Sequence, residues 1–94
     1  MNQPKALNQN VNNKISDTIC HLILFNDHVN EYNYIVNSLI EICNHTPNQA
    51  EQCTLIAHLS GKCHIKKDYK SILNSMNEQF ISRNIKVELV ESFN

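Results

Sequence analysis

Glycine is nearly missing from this sequence: Gly61 is the only one in 94 residues. A glycine-rich turn that could frame an oxyanion hole is therefore excluded, and hydrolytic catalysis loses its main support. There is also no block of Lys or Arg. Eight basic residues stand against nine acidic ones, for a net charge of −1, and the isolated pair Lys66-Lys67 is too small a footprint for nucleic acid. No run approaches the roughly 20 apolar residues of a membrane span. The opening segment MNQPKALNQN lacks the apolar centre of a secretory signal, so a cytoplasmic protein is expected. The four cysteines (Cys20, Cys43, Cys53 and Cys63) form no C-x-x-C, and the five histidines form no H-x-x-x-H. Reduced thiols in a cytoplasmic core are expected. No metal ligands and no cofactor are assigned.

What is present reads as one small domain. Residues 1–16 are rich in Asn and Gln and have too little apolar surface to offset the entropy of ordering, so a flexible tail is expected, with the domain at 17–94. Residues 18–25 form an apolar run suited to a strand, with His21 as a strand-face residue. Asn30 is expected to cap a helix with the stripe Tyr32, Ile35, Val36, Leu39, Ile40, Ile42 and Cys43. Thr46-Pro47-Asn48-Gln49 is a capping box with proline at the first helical position. The helix it opens carries Ala50, Cys53, Thr54, Ala57 and His58 on one face and ends at Gly61. Lys62–Ile65 reads as a short second strand. Asp68 is expected to cap a third helix with the stripe Ile72, Leu73, Met76 and Phe80, stopped by Asn84. Residues 85–89 alternate as a last strand. The order β-α-α-β-α-β predicts an α+β domain, with helices on one side of a small three-stranded antiparallel sheet.

The chemistry concentrates where the first apolar run stops, at Leu24-Phe25-Asn26-Asp27-His28. An amide and a carboxylate stand at the end of a buried strand, where the elements on both sides hold them. If the second helix packs beside this corner, His58 joins them. Amide, carboxylate and imidazole together offer acceptors to a donor-rich cation, and a protonated α-amino group fits. A thiol hydrolase built on Asp27 and His58 is the enzymatic alternative. It is disfavoured because Cys20, Cys43 and Cys53 fall in core stripes, where a thiol behaves as a small hydrophobe.

Three segments, Leu22-Ile23-Leu24-Phe25-Asn26-Asp27, Ala50-Glu51-Gln52 and His58-Leu59-Ser60-Gly61-Lys62, resemble ClpS, the adaptor family of the bacterial Clp protease system. The resemblance covers roughly residues 18–91, and the spacing from Asn-Asp to His-x-x-Gly-Lys agrees without gaps. It implies a fold similar to the C-terminal domain of the ribosomal stalk protein. It also implies a non-enzymatic receptor for N-degrons whose first residue is Leu, Phe, Tyr or Trp, delivered to a Clp-family AAA+ unfoldase of the ClpA or ClpC type. By position, Asn26, Asp27 and His58 match the residues that hold the substrate α-amino group. Tyr32, Thr54 and Ala57 match the side-chain pocket, where relatives often carry Met or Val, so a bulkier Tyr32 is expected to fill space left by smaller Thr54 and Ala57. On the same reading His28 falls outside the site. The alternatives are an interaction module of this fold without degron selectivity, or a small metal-binding protein.

Overall fold

The computed structural model describes residues 18–92; the tail expected at 1–16 lies outside them. The chain runs through β1 (Ile19–Phe25), α1 (Tyr32–Cys43), α2 (Pro47–Ser60), β2 (Lys62–Tyr69), α3 (Lys70–Ser82) and β3 (Val87–Glu91), the expected order. β1 lies between the other strands and is antiparallel to both, in the order β2-β1-β3. α2 and α3 pack on the sheet, and α1 packs against both of them.

Strict alternation along β1 sends Cys20, Leu22 and Leu24 into the core, while Ile19, His21, Ile23 and Phe25 stay half-buried on the other face. The inward residues meet Leu39 of α1 and Leu73 and Phe80 of α3, all of them fully buried. Full burial of each such side chain contributes about 1.5–3 kcal/mol. Cys43 and Cys53 lie in the same core, and burial pushes the Cys43 thiol up to about 11. Burial, with Cys63 beside it, pushes Cys53 up as well. Thiols held protonated in this way are poor nucleophiles.

The capping box forms as expected. Thr46 Oγ1 accepts from the Gln49 amide at 3.1 Å, and the Thr46 amide donates to Gln49 Oε1 at 2.9 Å. Gly61 ends α2 with φ 98°, and Asn84 follows α3 with φ 64°.

Other local expectations are corrected. Asn30 does not cap α1: the N-cap is Glu31, without a side-chain bond. The Asn30 amide group donates instead to Asp27 Oδ2 and to the Asn84 carbonyl, both at 2.8 Å. Asp68 caps nothing either. β2 continues through it to Tyr69 because β1 offers a ladder partner as far as Ile19, and α3 begins at Lys70 under Tyr69. β3 starts two residues later than expected, although Ile85 is still buried. Ile72 is 42% exposed, since Leu73 and Phe80, two turns apart, set the inward face of α3.

One irregularity in the β1–β2 ladder has a visible effect. Leu22 pairs with Lys66 but Ile23 pairs with His64, which leaves Ile65 as an extra residue. Ile65 turns into the core, and His64 stays on the open face of the sheet beside His21. Burial, then the neighbouring His21 and Lys67, push the His64 pKa below its ordinary value.

Candidate functional site

Two backbone hydrogen bonds fix the corner after β1. The Phe25 amide donates to the Lys86 carbonyl at 3.0 Å, and the Asn26 amide donates to the Gly61 carbonyl at 2.9 Å. The second bond explains why the His-x-x-Gly segment belongs with the distant Asn-Asp pair. Gly61 closes α2 by donating its amide to the Ala57 carbonyl at 2.9 Å, and then accepts from Asn26. His58, three residues earlier, stands in the last turn of α2, so the helix end that ties down Asn26 also carries the imidazole to the corner. A Cβ at Gly61 would meet nothing within 4 Å, so only its positive φ demands glycine. Gly61→Ala is therefore expected to destabilise the fold by about 1–2 kcal/mol, which urea unfolding would measure; no change would show that the helix end relaxes freely.

Asp27 organises the loop that follows. Its Oδ1 accepts from the Val29 amide at 2.7 Å and the Asn30 amide at 2.8 Å, while Oδ2 takes the Asn30 side chain. Through Asn30 the loop is moored to the Asn84 carbonyl, so the carboxylate is held in place before any ligand arrives. Burial works to raise the Asp27 pKa, but the hydrogen bonds from Asn30 and Val29 and the charge of His28 outweigh it, and the net shift is downward. An ionised carboxylate is thus fixed at the corner at neutral pH.

The corner opens into a cavity of about 370 Å³ whose lining includes Asn26, Asp27, Tyr32, Thr54, Ala57 and His58. All six residues singled out from the sequence meet there. Leu24, Phe25, Ile35 and Asn30 also line it, and so does His28, which the family resemblance leaves outside the site. Phe25 and Ile35 could have been flagged as apolar neighbours of the corner in sequence and on the α1 stripe; nothing local pointed to Asn30. The volume is near the lower end for ligand pockets, suited to one large side chain rather than a length of peptide.

The walls differ in character. Thr54 and Ala57 are buried, and the Thr54 hydroxyl donates to the Ala50 carbonyl at 2.8 Å, which leaves it no free hydrogen to offer a ligand. Tyr32 is 45% exposed and crosses from α1 to α2, its hydroxyl donating to the Glu51 carbonyl at 3.2 Å. It therefore stands as a tethered wall over the smaller α2 residues. The exposed His58 imidazole makes no hydrogen bond to another described residue. The negative end of the α2 dipole lies on this side, which favours a cation. Among the described residues no group of three or more His, Cys, Asp or Glu gathers to hold a metal. Among them, too, no helix is long and apolar enough to cross a membrane.

Comparisons with known proteins agree with this fold. The fold matches the solved structure of Agrobacterium tumefaciens ClpS2 bound to L-phenylalaninamide, with a TM-score of 0.75 over 81% of this chain and 99% of that one, at 11% sequence identity. No curated protein matches in sequence. The family model for the ATP-dependent Clp protease adaptor protein ClpS matches residues 16–88. That span runs from just before β1 into β3 and holds both halves of the Asn-Asp and His-x-x-Gly corner, so the chain belongs to the ClpS family of Clp protease adaptors.

Proposed function

We infer that this chain is an N-degron receptor. It takes polypeptides whose first residue is Leu, Phe, Tyr or Trp and delivers them to a Clp-family AAA+ unfoldase of the ClpA or ClpC type. The observation that carries the reading is the meeting of Asn26, Asp27 and His58 in the lining of one cavity with Tyr32, Thr54 and Ala57. A free α-ammonium group is a donor of three hydrogens, mostly protonated at neutral pH, and is met here by a fixed carboxylate, an amide oxygen and an imidazole. The first side chain enters the apolar part of the cavity. The ligand of the Agrobacterium protein has the same two features, a free amino group and an aromatic side chain.

Magnitudes support recognition of a single terminal residue. Burying one large side chain contributes about 1.5–3 kcal/mol, and each hydrogen bond to a charged group about 1.5–3 kcal/mol. Micromolar binding, near −8 kcal/mol, is within reach of these groups. A Phe-initiated peptide is expected to raise fluorescence anisotropy on titration with the protein, and the same peptide N-acetylated is expected to bind at least about a hundredfold more weakly. Equal binding of the two forms would overturn the ammonium reading.

A further inference from the structure

On the open face of the sheet, away from the helices, His21 of β1 and His64 of β2 turn toward each other. Their rings are 5.0 Å apart, centre to centre, at 61°, and His21 Nδ1 and His64 Nε2 share a hydrogen bond of 2.8 Å, one ring N–H donating to the other ring's nitrogen. The pairing depends on the ladder irregularity: in an unbroken register His64 would pair with Leu24 and face the core, and Ile65 would take its place. We propose that His21 and His64 form a two-imidazole binding site for a divalent transition-metal cation that favours cis nitrogen donors, of the copper(II) and nickel(II) type.

The donor type selects the metal class: imidazole nitrogens suit late divalent metals, and affinity for such donors rises through nickel(II) to copper(II). Two donors each about 2.0 Å from a metal and about 90° apart are about 2.8 Å from one another, whereas tetrahedral ligands at that bond length are about 3.3 Å apart. A closely spaced pair on neighbouring strands therefore suits two cis positions of a square-planar or tetragonal site. Metal binding replaces the hydrogen bond between the rings, and turning them so that both lone pairs converge on one point disturbs no core packing, because this is the open face. The two residues are anchored on paired strands, which fixes their spacing without a ligand.

The surrounding charges do not close the site to a cation. Lys67 is the ladder partner of His21, and Lys62 lies farther along β2. Opposite them, Glu88 and Glu91 of β3 line the shallow depression beside His21, although Glu91 is engaged by Lys70 at 3.2 Å. With two protein donors, water completes the coordination, so the site is an open surface site and not a folding nucleus like a structural zinc centre.

The test is calorimetric titration of the full chain with NiCl2, a probe that spares the half-exposed Cys63 from copper-driven oxidation. The wild type and His45→Gln are expected to bind one equivalent. His21→Ala and His64→Ala are each expected to lose at least about tenfold in affinity, the lower end of what removal of even an outer-shell partner does. His64→Gln serves as a second variant should His64→Ala fold poorly. In a Cys63→Ser background, which removes the half-exposed thiol, copper(II) electron paramagnetic resonance is expected to show two imidazole nitrogens with both histidines present and one when either is replaced. Unchanged nickel affinity in both single variants, or a copper spectrum without two nitrogen donors, would overturn the proposal.

Discussion

Replacing Asp27 with alanine is expected to weaken binding of a Phe- or Leu-initiated peptide about a hundredfold or more. Two losses combine. The ammonium of the proposed ligand would lose the carboxylate of the cavity lining, an interaction of about 1.5–3 kcal/mol for each hydrogen bond, and every 1.4 kcal/mol or so is a factor of ten. The loop is also released, because the Val29 amide, the Asn30 amide and the Asn30 side chain all donate to this one carboxylate. Asp27→Asn separates the two effects. Its oxygen can still accept from the backbone amides, but the charge is gone and its own amide group would face that of Asn30. It should therefore bind between the wild type and Asp27→Ala. Anisotropy titrations of the three proteins decide, and an Asp27→Ala protein that binds as tightly as the wild type would remove Asp27 from the site.

Acidity adds a check on the same residue. The folded pKa of Asp27 lies below its ordinary 3.8. Its stabilising effect is therefore fully present above the unfolded value and is lost as pH falls through the lower folded one. The wild type, compared with Asp27→Asn, should keep its stability advantage across the neutral and mildly acid range and lose it only below about pH 4. An advantage that disappears by pH 5 would contradict the hydrogen-bonded loop.

The largest stability effect is expected at Phe80. This side chain is fully buried between α3 and the inward face of β1, and the Phe80 carbonyl also receives the Ile85 amide at 3.0 Å as the chain turns toward β3. Phe80→Ala should remove about 3–5 kcal/mol through lost transfer energy and the cavity left behind. Small domains have only about 5–15 kcal/mol in total, so the variant should sit near the edge of folding. The urea midpoint should fall sharply with little change in slope. A loss below about 1 kcal/mol would mean that the core closes over the gap. The surface ion pairs, such as Arg83 with Glu41 at 2.7 Å and Lys66 with Asp68 at 3.6 Å, are at least partly exposed and offer little to compensate.

Features whose cause lies within a few residues were legible in the sequence. Thr46, Pro47 and Gln49 start α2 because capping needs partners only three residues apart. Gly61 and Asn84 stop helices because they tolerate a positive φ. The stripes of α1 and α2 and the run of β1 marked the core because burial follows the period of the element. The pairing of Asn26 and Asp27 with His58 rested on a family resemblance across a long gap. The structure accounts for that gap by one hydrogen bond, from the Asn26 amide to the Gly61 carbonyl.

Tertiary structure decided whatever depends on a distant partner. Asn30 looked like a helix cap, but Asn84, far along the chain, drew its side chain into the loop. Asp68 looked like another, but β1 extended β2 through it, and a ladder partner outweighed a local capping preference. His28 became part of the cavity lining through the path of the loop, which no neighbouring residue announces. His21 and His64 met because one extra residue in β2 changed which side chains share the open face. By itself the sequence determined the elements and the residue types at the corner, since propensity, capping and periodicity are short-range. Register, loop path and the shape of the cavity came only from packing, because each depends on groups that the chain brings together after those elements exist.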